Sequence, residues 1–179
     1  MHRLFVAIRP PEEVRDRLID LMDDGVAVRW QSDEQIHLTL RFIGEVERPA
    51  AEDIGIALET IRLPRFRIAL AGLGRFDHHR RGVLWAGIEP REALRALAAK
   101  VERACQSAGI EPERRAFHPH ITLARWNGGQ TKLDPLVERH AGLRSDPWEV
   151  DRFILYESHL LRDGAHYDPI ADYSLVDPS

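Results

Sequence analysis

The chain reads as an α+β fold with α/β-like alternation. Two pseudo-symmetric lobes are expected, with antiparallel sheets facing a central cleft and helices on the outside. Three observations predict this. Apolar runs of strand character alternate with stripes of helical period. The pattern His-x-Thr-Leu occurs twice, as His37-Leu38-Thr39-Leu40 and His120-Ile121-Thr122-Leu123, each time after a strand, a helix and a turn. The balance of 44% hydrophobic and 30% charged residues over 179 positions is that of a globular protein with a sizeable core. A single bilobal domain over 1–179 follows as the expectation.

Leu4 to Ile8 form the first apolar strand, and Pro10-Pro11-Glu12-Glu13 marks the start of a helix carrying Val14, Leu18 and Leu21 at helical spacing. Val26 to Trp30 suits a short strand and Ile36 to Ile43 a longer one. Pro49 opens a second helix with Ile54, Leu58 and Ile61 on one face. Phe66 to Leu73 and Val83 to Ile88 read as strands. Between them, the basic stretch from Arg75 to Gly82, with His78 and His79, is expected as a hairpin loop able to touch phosphates. The third helix is the clearest: it starts at Pro90, carries Leu94, Leu97, Ala98, Val101, Cys105 and Ala108 on one stripe, and stops at Gly109. The second motif strand spans Pro119 to Arg125. After a Gly128-Gly129 turn, a less regular stretch leads to strands at Val150–Tyr156 and Tyr167–Leu175.

No run approaches the ~20 apolar residues of a membrane span, and the chain enters Leu4–Ile8 with no apolar leader, so a cytoplasmic location is expected. One cysteine excludes an intrachain disulfide; on its apolar stripe Cys105 is expected as a buried structural thiol. A net charge of −4 argues against a protein that coats nucleic acid, so any such contact should be local. Lys100 and Lys132 are the only lysines among 25 basic residues. Arginine's planar fork suits phosphate, although codon bias explains the same preference.

Residues i and i+2 of a strand share a face, so each motif places an imidazole and a hydroxyl on one side. Two histidines that titrate near neutral pH are the natural apparatus for acid and base catalysis. Displacement at a phosphodiester needs one proton removed from the nucleophile and one delivered to the leaving oxygen, on opposite sides of phosphorus. His37 and His120 meet that demand without a metal, provided the fold brings them together. The hydroxyls of Thr39 and Thr122 are placed to hold non-bridging oxygens. Strict alternation puts Arg41 on the face of His37 and Thr39, either neutralising charge or standing exposed.

These two motifs resemble the paired HxTx motifs of the 2H phosphoesterase superfamily, specifically the bacterial RNA 2',3'-cyclic phosphodiesterases also known as 2'-5' RNA ligases. The resemblance runs from Arg3-Leu4-Phe5-Val6-Ala7 through Trp30, Gly72-Leu73-Gly74-Arg75-Phe76 and Val83-Leu84-Trp85-Ala86-Gly87 to the second motif, and fades beyond Asn127. It implies hydrolysis of a terminal 2',3'-cyclic phosphate on RNA to a 2'-phosphomonoester, with His37 as proton donor to the leaving 3' oxygen and His120 as acceptor from water. It further implies phosphate contact by Arg125 and contact of Phe42 with the terminal base. RNA 3' ends are the expected partner, with no metal, no cofactor and a monomeric chain. Alternation points Arg125 away from His120, so it reaches the cleft from the strand end or past a bulge. For Phe42, ordinary core packing competes with base stacking.

Other readings have less to stand on. His118 and His120 with His78 and His79 offer imidazoles for a metal, but Pro119 disturbs the strand and no third ligand has the usual spacing. His118 is otherwise a residue of the cleft edge or surface. Thr122 occupies the third position of a His-x-His-x-His site, and Thr39 and Thr122 stand where a His-x-Lys phosphodiesterase needs lysine. Gly72-Leu73-Gly74 lacks the third glycine of a dinucleotide fingerprint and reads as a turn. Three alternatives stay open: a phosphodiesterase for a small cyclic nucleotide such as ADP-ribose 1'',2''-cyclic phosphate, reversible 2'-5' ligation, and an RNA-end binding module without turnover.

Overall fold

In the computed structural model, which describes residues 1–128 and 133–177, the strands alternate with helices as β1 (His2–Ile8), α1 (Glu12–Asp20), β2 (Arg29–Trp30), β3 (Leu38–Val46), α2 (Arg48–Leu58), β4 (Phe66–His78), β5 (Arg81–Glu89), α3 (Glu92–Ser107), β6 (His120–Asn127), α4 (Asp134–Arg139), β7 (Trp148–Val150), β8 (Arg152–Leu161) and β9 (Gly164–Ser174). A 3-10 turn, Asp33–Gln35, precedes β3. The class is the expected α+β. The strands pair antiparallel in the order β7-β4-β5-β6-β3-β1-β8-β9, with β2 alongside β6. This order divides the strands four and four. The two groups join edge to edge where the motif strands β6 and β3 meet, through one registered pair, Leu38 with Ile121.

Period-two alternation sorts β1 between two environments. Leu4, Val6 and Ile8 face the main core, where Val14 and Leu18 of α1, Ile54 and Leu58 of α2, the α3 stripe and Leu136 of α4 are buried with them. Phe5 and Ala7 face the other way and join Tyr156 in a small separate cluster made of strand residues alone. The helices therefore cover one face of the sheet and leave the other open. Each fully buried leucine on the covered face contributes roughly 1.5–3 kcal/mol. Cys105 lies in that core with its thiol pushed up to about 11 by burial, which makes it inert.

Several elements differ from the sequence expectation. β2 is only two residues long, because residues 24–28 form turns. The basic 75–82 stretch is strand for most of its length: β4 and β5 pair out to His78–Arg81, and the chain reverses at His79 and Arg80 alone. His79 adopts φ of 56°, which completes a two-residue turn. The expected 150–156 strand is split at Asp151 into β7 and β8, which belong to opposite halves of the sheet. Helix α4 has no counterpart among the expected elements. Of the Gly128-Gly129 turn, Gly129 lies outside the described residues. Among the described residues no helix is long and apolar enough to cross a membrane.

Candidate active site

The Leu38–Ile121 pair decides which side chains meet. Both residues are fully buried toward the helices, so their neighbours along the strands project from the open face. In an antiparallel register His37 then stands opposite Thr122, and Thr39 opposite His120. The two histidines are diagonal neighbours across the strand pair, a relation of about 7–8 Å. The four motif residues thus form one quartet on the open face.

Beyond the quartet both strands depart from strict alternation, and at the same motif position. In β3, Thr39 pairs with Ala7 and Arg41 with Val6, which leaves Leu40 as an extra residue. In β6, Thr122 pairs with Trp85 and Ala124 with Leu84, which leaves Leu123 extra. Each bulge falls on the leucine that ends His-x-Thr-Leu and flips the phase of everything after it. Arg41 therefore turns to the helix side, contrary to the expectation that it shares the face of His37. It is 8% exposed, and its guanidinium bonds Glu102 of α3 at 2.5 Å and the carbonyl oxygen of Glu111 at 2.5 Å. The same flip brings Phe42 and Arg125 onto the open face, at equivalent positions of the two motifs.

His37, 7% exposed, is enclosed by aromatic rings: Tyr156 at 4.6 Å, Tyr167 at 5.3 Å and Phe5 at 6.0 Å, all edge-on. Its Nδ1 is buried with no hydrogen-bond partner. Burial pushes the imidazole from 6.5 down to about 4, against an opposing effect of the Gln35 backbone, while Arg9 and Arg15 disfavour the cation further. Those arginines also fix the approach to the motif. Arg9 donates to the carbonyl oxygens of Asp33 at 2.6 Å and Ile36 at 2.8 Å, and Arg15 bonds the Asp33 carboxylate at 2.9 Å. Gln35 spans to the Ala165 carbonyl at 3.0 Å, tying the turn to β9.

His120 is held differently. Its Nδ1–H donates to the carbonyl oxygen of His118 at 2.6 Å, so the neutral ring presents the Nε2 lone pair outward. Burial lowers its pKa, with the His118 carbonyl working against that and the charges of His118 and Arg125 adding to it. Phe76 lies edge-on at 5.4 Å, and Trp85 packs on His118 at 4.9 Å. The indole of Trp85 lies across Gly74, where a Cβ would come within 2.3 Å of it. His118 is thus a half-buried wall at the edge of the site, with its Nδ1 enclosed and without a partner.

A cavity of about 370 Å³ opens over this face, lined by His37, Thr39, Phe42, Thr122 and Arg125 with Arg3, Phe5, Gln31, Gln35 and Tyr167. Its size is that of a small-ligand pocket. The guanidinium of Arg3 sits 5.0 Å from the Phe42 ring centre and braces it. With two arginines and no carboxylate, this lining suits an anion. Among the described residues no group of three or more His, Cys, Asp or Glu side chains is placed to hold a metal ion. The sequence carried no signal for the aromatic cage or for the Arg9–Arg15–Asp33 brace, because their members come from distant strands and act only through packing. Phe76 and Trp85 lie within the family-like segments but without a motif of their own.

Comparison with known proteins places the chain in a family. The sequence model of the 2'-5' RNA ligase superfamily matches residues 10–161. An RNA 2',3'-cyclic phosphodiesterase of Aeropyrum pernix is 42% identical over 147 residues, covering 80% of this chain and 84% of that protein. Its Escherichia coli K12 counterpart is 30% identical over 178 residues, covering 97% of both. The crystal structure of E. coli LigT complexed with 3'-AMP superposes with a TM-score of 0.83 at 28% identity, covering 98% of this chain and 99% of that one. On the residues matched and the fold they share, this chain belongs to the 2'-5' RNA ligase superfamily.

Proposed function

We propose that this protein hydrolyses the terminal 2',3'-cyclic phosphate of RNA to a 2'-phosphomonoester by two-histidine catalysis, without a metal. The carrying observation is the Nδ1–H bond of His120 to the His118 carbonyl, which leaves Nε2 as a fixed proton acceptor on the same face as His37. Water attacks phosphorus and gives its proton to His120 Nε2. The P–O3' bond breaks as His37 protonates O3', leaving a 3'-hydroxyl and the phosphate on the 2' oxygen. Thr39, Thr122 and Arg125 hold the non-bridging oxygens as charge builds on them. Phe42 offers the terminal base a face on which any base can stack.

His37 must be protonated to act, yet burial holds it neutral in the free protein. An anionic cyclic phosphate beside the ring restores the proton, so substrate binding arms the acid. A ribose 5'-hydroxyl replacing water in the same step would form a 2'-5' linkage. Bulk water favours hydrolysis unless that hydroxyl is positioned. The relatives' name and the family's name therefore describe one displacement with two nucleophiles, water and a ribose hydroxyl.

The test is EDTA-treated protein incubated with a short RNA ending in a 2',3'-cyclic phosphate, the 2'- and 3'-phosphate products being resolved. Exclusive 2'-phosphate is expected, and His37→Ala and His120→Ala should each lose ~10²- to 10⁴-fold in rate while remaining folded. A 3'-phosphate product, near-normal turnover by either variant, or restoration of lost activity by a divalent metal would overturn the mechanism.

A further inference from the structure

The open face carries a second, larger cavity that the proposed chemistry does not use. It measures about 970 Å³ and runs from the catalytic pocket to the tip of the β4–β5 hairpin. One wall is the turn segment 24–28 with Arg29 of β2; the floor is the open face of β5 and β6 with Phe76 and His78 of β4. Two residues belong to both places. Arg125 lines both cavities, and Phe76 lines the groove while packing against His120. The groove is therefore an extension of the site.

Its charge is cationic in a chain of net charge −4. Arg29 stands directly opposite Arg125 in the β2–β6 pair, and Arg81 opposite Asn127, two residues further along β6. Like charges directly opposite on a sheet are destabilising, so the Arg29–Arg125 pair is kept at a cost in the absence of an anion. Among the described residues no carboxylate pairs with Arg29, Arg81 or Arg125; Asp24 is the one acidic residue on the groove's wall.

Resting on the phosphodiesterase reading, we propose that this groove carries the RNA strand on the 5' side of the terminal nucleotide, with Arg29 and Arg81 on its phosphodiesters. A nucleotide whose 2' and 3' oxygens are closed on phosphorus can continue only through its 5' oxygen, so the strand must leave the pocket by one path. The groove supplies that path, with unpaired arginines for phosphates and Phe76 for a base, the combination that binds single strands without sequence preference. Arg125 is the shared post between the reacting phosphate and the strand.

The experiment compares the wild type with the Arg29→Gln/Arg81→Gln double variant on two substrates, adenosine 2',3'-cyclic phosphate and a short RNA ending in the same group. The double variant should lose about tenfold or more in kcat/KM on the RNA and stay within about twofold on the mononucleotide. Its dependence of log kcat/KM on log salt for RNA should flatten by roughly 0.7 for each phosphate that the substitutions leave without an arginine. Equal loss on both substrates, or no loss on either, overturns the groove assignment. Should the wild type turn over neither substrate, it is the phosphodiesterase reading that fails. Fluorescence anisotropy with a 2'-phosphorylated RNA then decides the groove alone: binding weakened about tenfold by the double variant supports it, and unchanged binding refutes it.

Discussion

The two histidines are the same residue type made chemically unequal by their surroundings. His120 has a fixed hydrogen-bond acceptor on Nδ1, and His37 has an aromatic cage and none. An acid held near pKa 4 when free and raised by a bound anion predicts a split between two pH profiles. The alkaline limb of kcat/KM, which reports the free protein, should lie below that of kcat, which reports the complex. NMR titration of His37 with and without inorganic phosphate checks the same point; a His37 pKa unmoved by phosphate would contradict it. The two arginines following the motifs differ as sharply. Arg41 is buried against Glu102, with Glu113 at 3.8 Å, so Arg41→Ala should destabilise the protein by about 3 kcal/mol and leave KM unchanged. Arg125 is exposed on the pocket wall, and Arg125→Ala should cost roughly 10- to 100-fold in kcat/KM with stability nearly unaltered. Urea denaturation and steady-state kinetics on both variants separate these outcomes.

At the level of elements, the bulges matter more than the strands' existence. His-x-Thr spacing is legible as period two, but one extra residue per motif reverses the faces of Arg41, Phe42 and Arg125. A bulge leaves no marker in this composition, since Leu40 and Leu123 are ordinary strand residues. The length of the β4–β5 hairpin is hidden for a related reason: its basic residues resemble a loop until the pairing of His78 with Arg81 is seen. Gly74 shows how closely these strands are fitted. Gly74→Ala would set a methyl 2.3 Å from the Trp85 ring, so the indole must move, at a cost of about 1–3 kcal/mol. Because that ring packs on His118, whose carbonyl orients His120, kcat should fall together with the urea midpoint. An unchanged kcat would remove Trp85 from the support of the site.

Across the whole molecule, the two strand groups share one core under the helices yet touch through a single registered pair on the sheet. Helix α3, which follows β5, packs on both β3 and α2 and so carries much of the union. A phosphate bound by His37 and Thr39 from one group and by Thr122 and Arg125 from the other would add a second link at the seam. A 2'-phosphorylated nucleotide should therefore slow amide exchange on both sides, at β3 and at β6 around Leu38 and Ile121. Stability should rise with ligand concentration, by about 2.7 kcal/mol at a hundredfold excess over Kd. Protection confined to one group would show that the ligand does not bridge them.

The sequence by itself determined the fold class, the strand-helix alternation and the four residues of the paired motif, because hydrophobic period and repetition are local properties that one chain displays openly. It also carried the family, through flanks such as Gly72–Phe76 and Val83–Gly87. Only the tertiary structure decided that His37 and His120 are diagonal neighbours, that Arg41 serves the core while Arg125 serves the pocket, and that one imidazole is caged while the other is oriented. Those outcomes depend on register, on two bulges and on burial by distant rings, and each of these is a relation between strands rather than a property of any one of them.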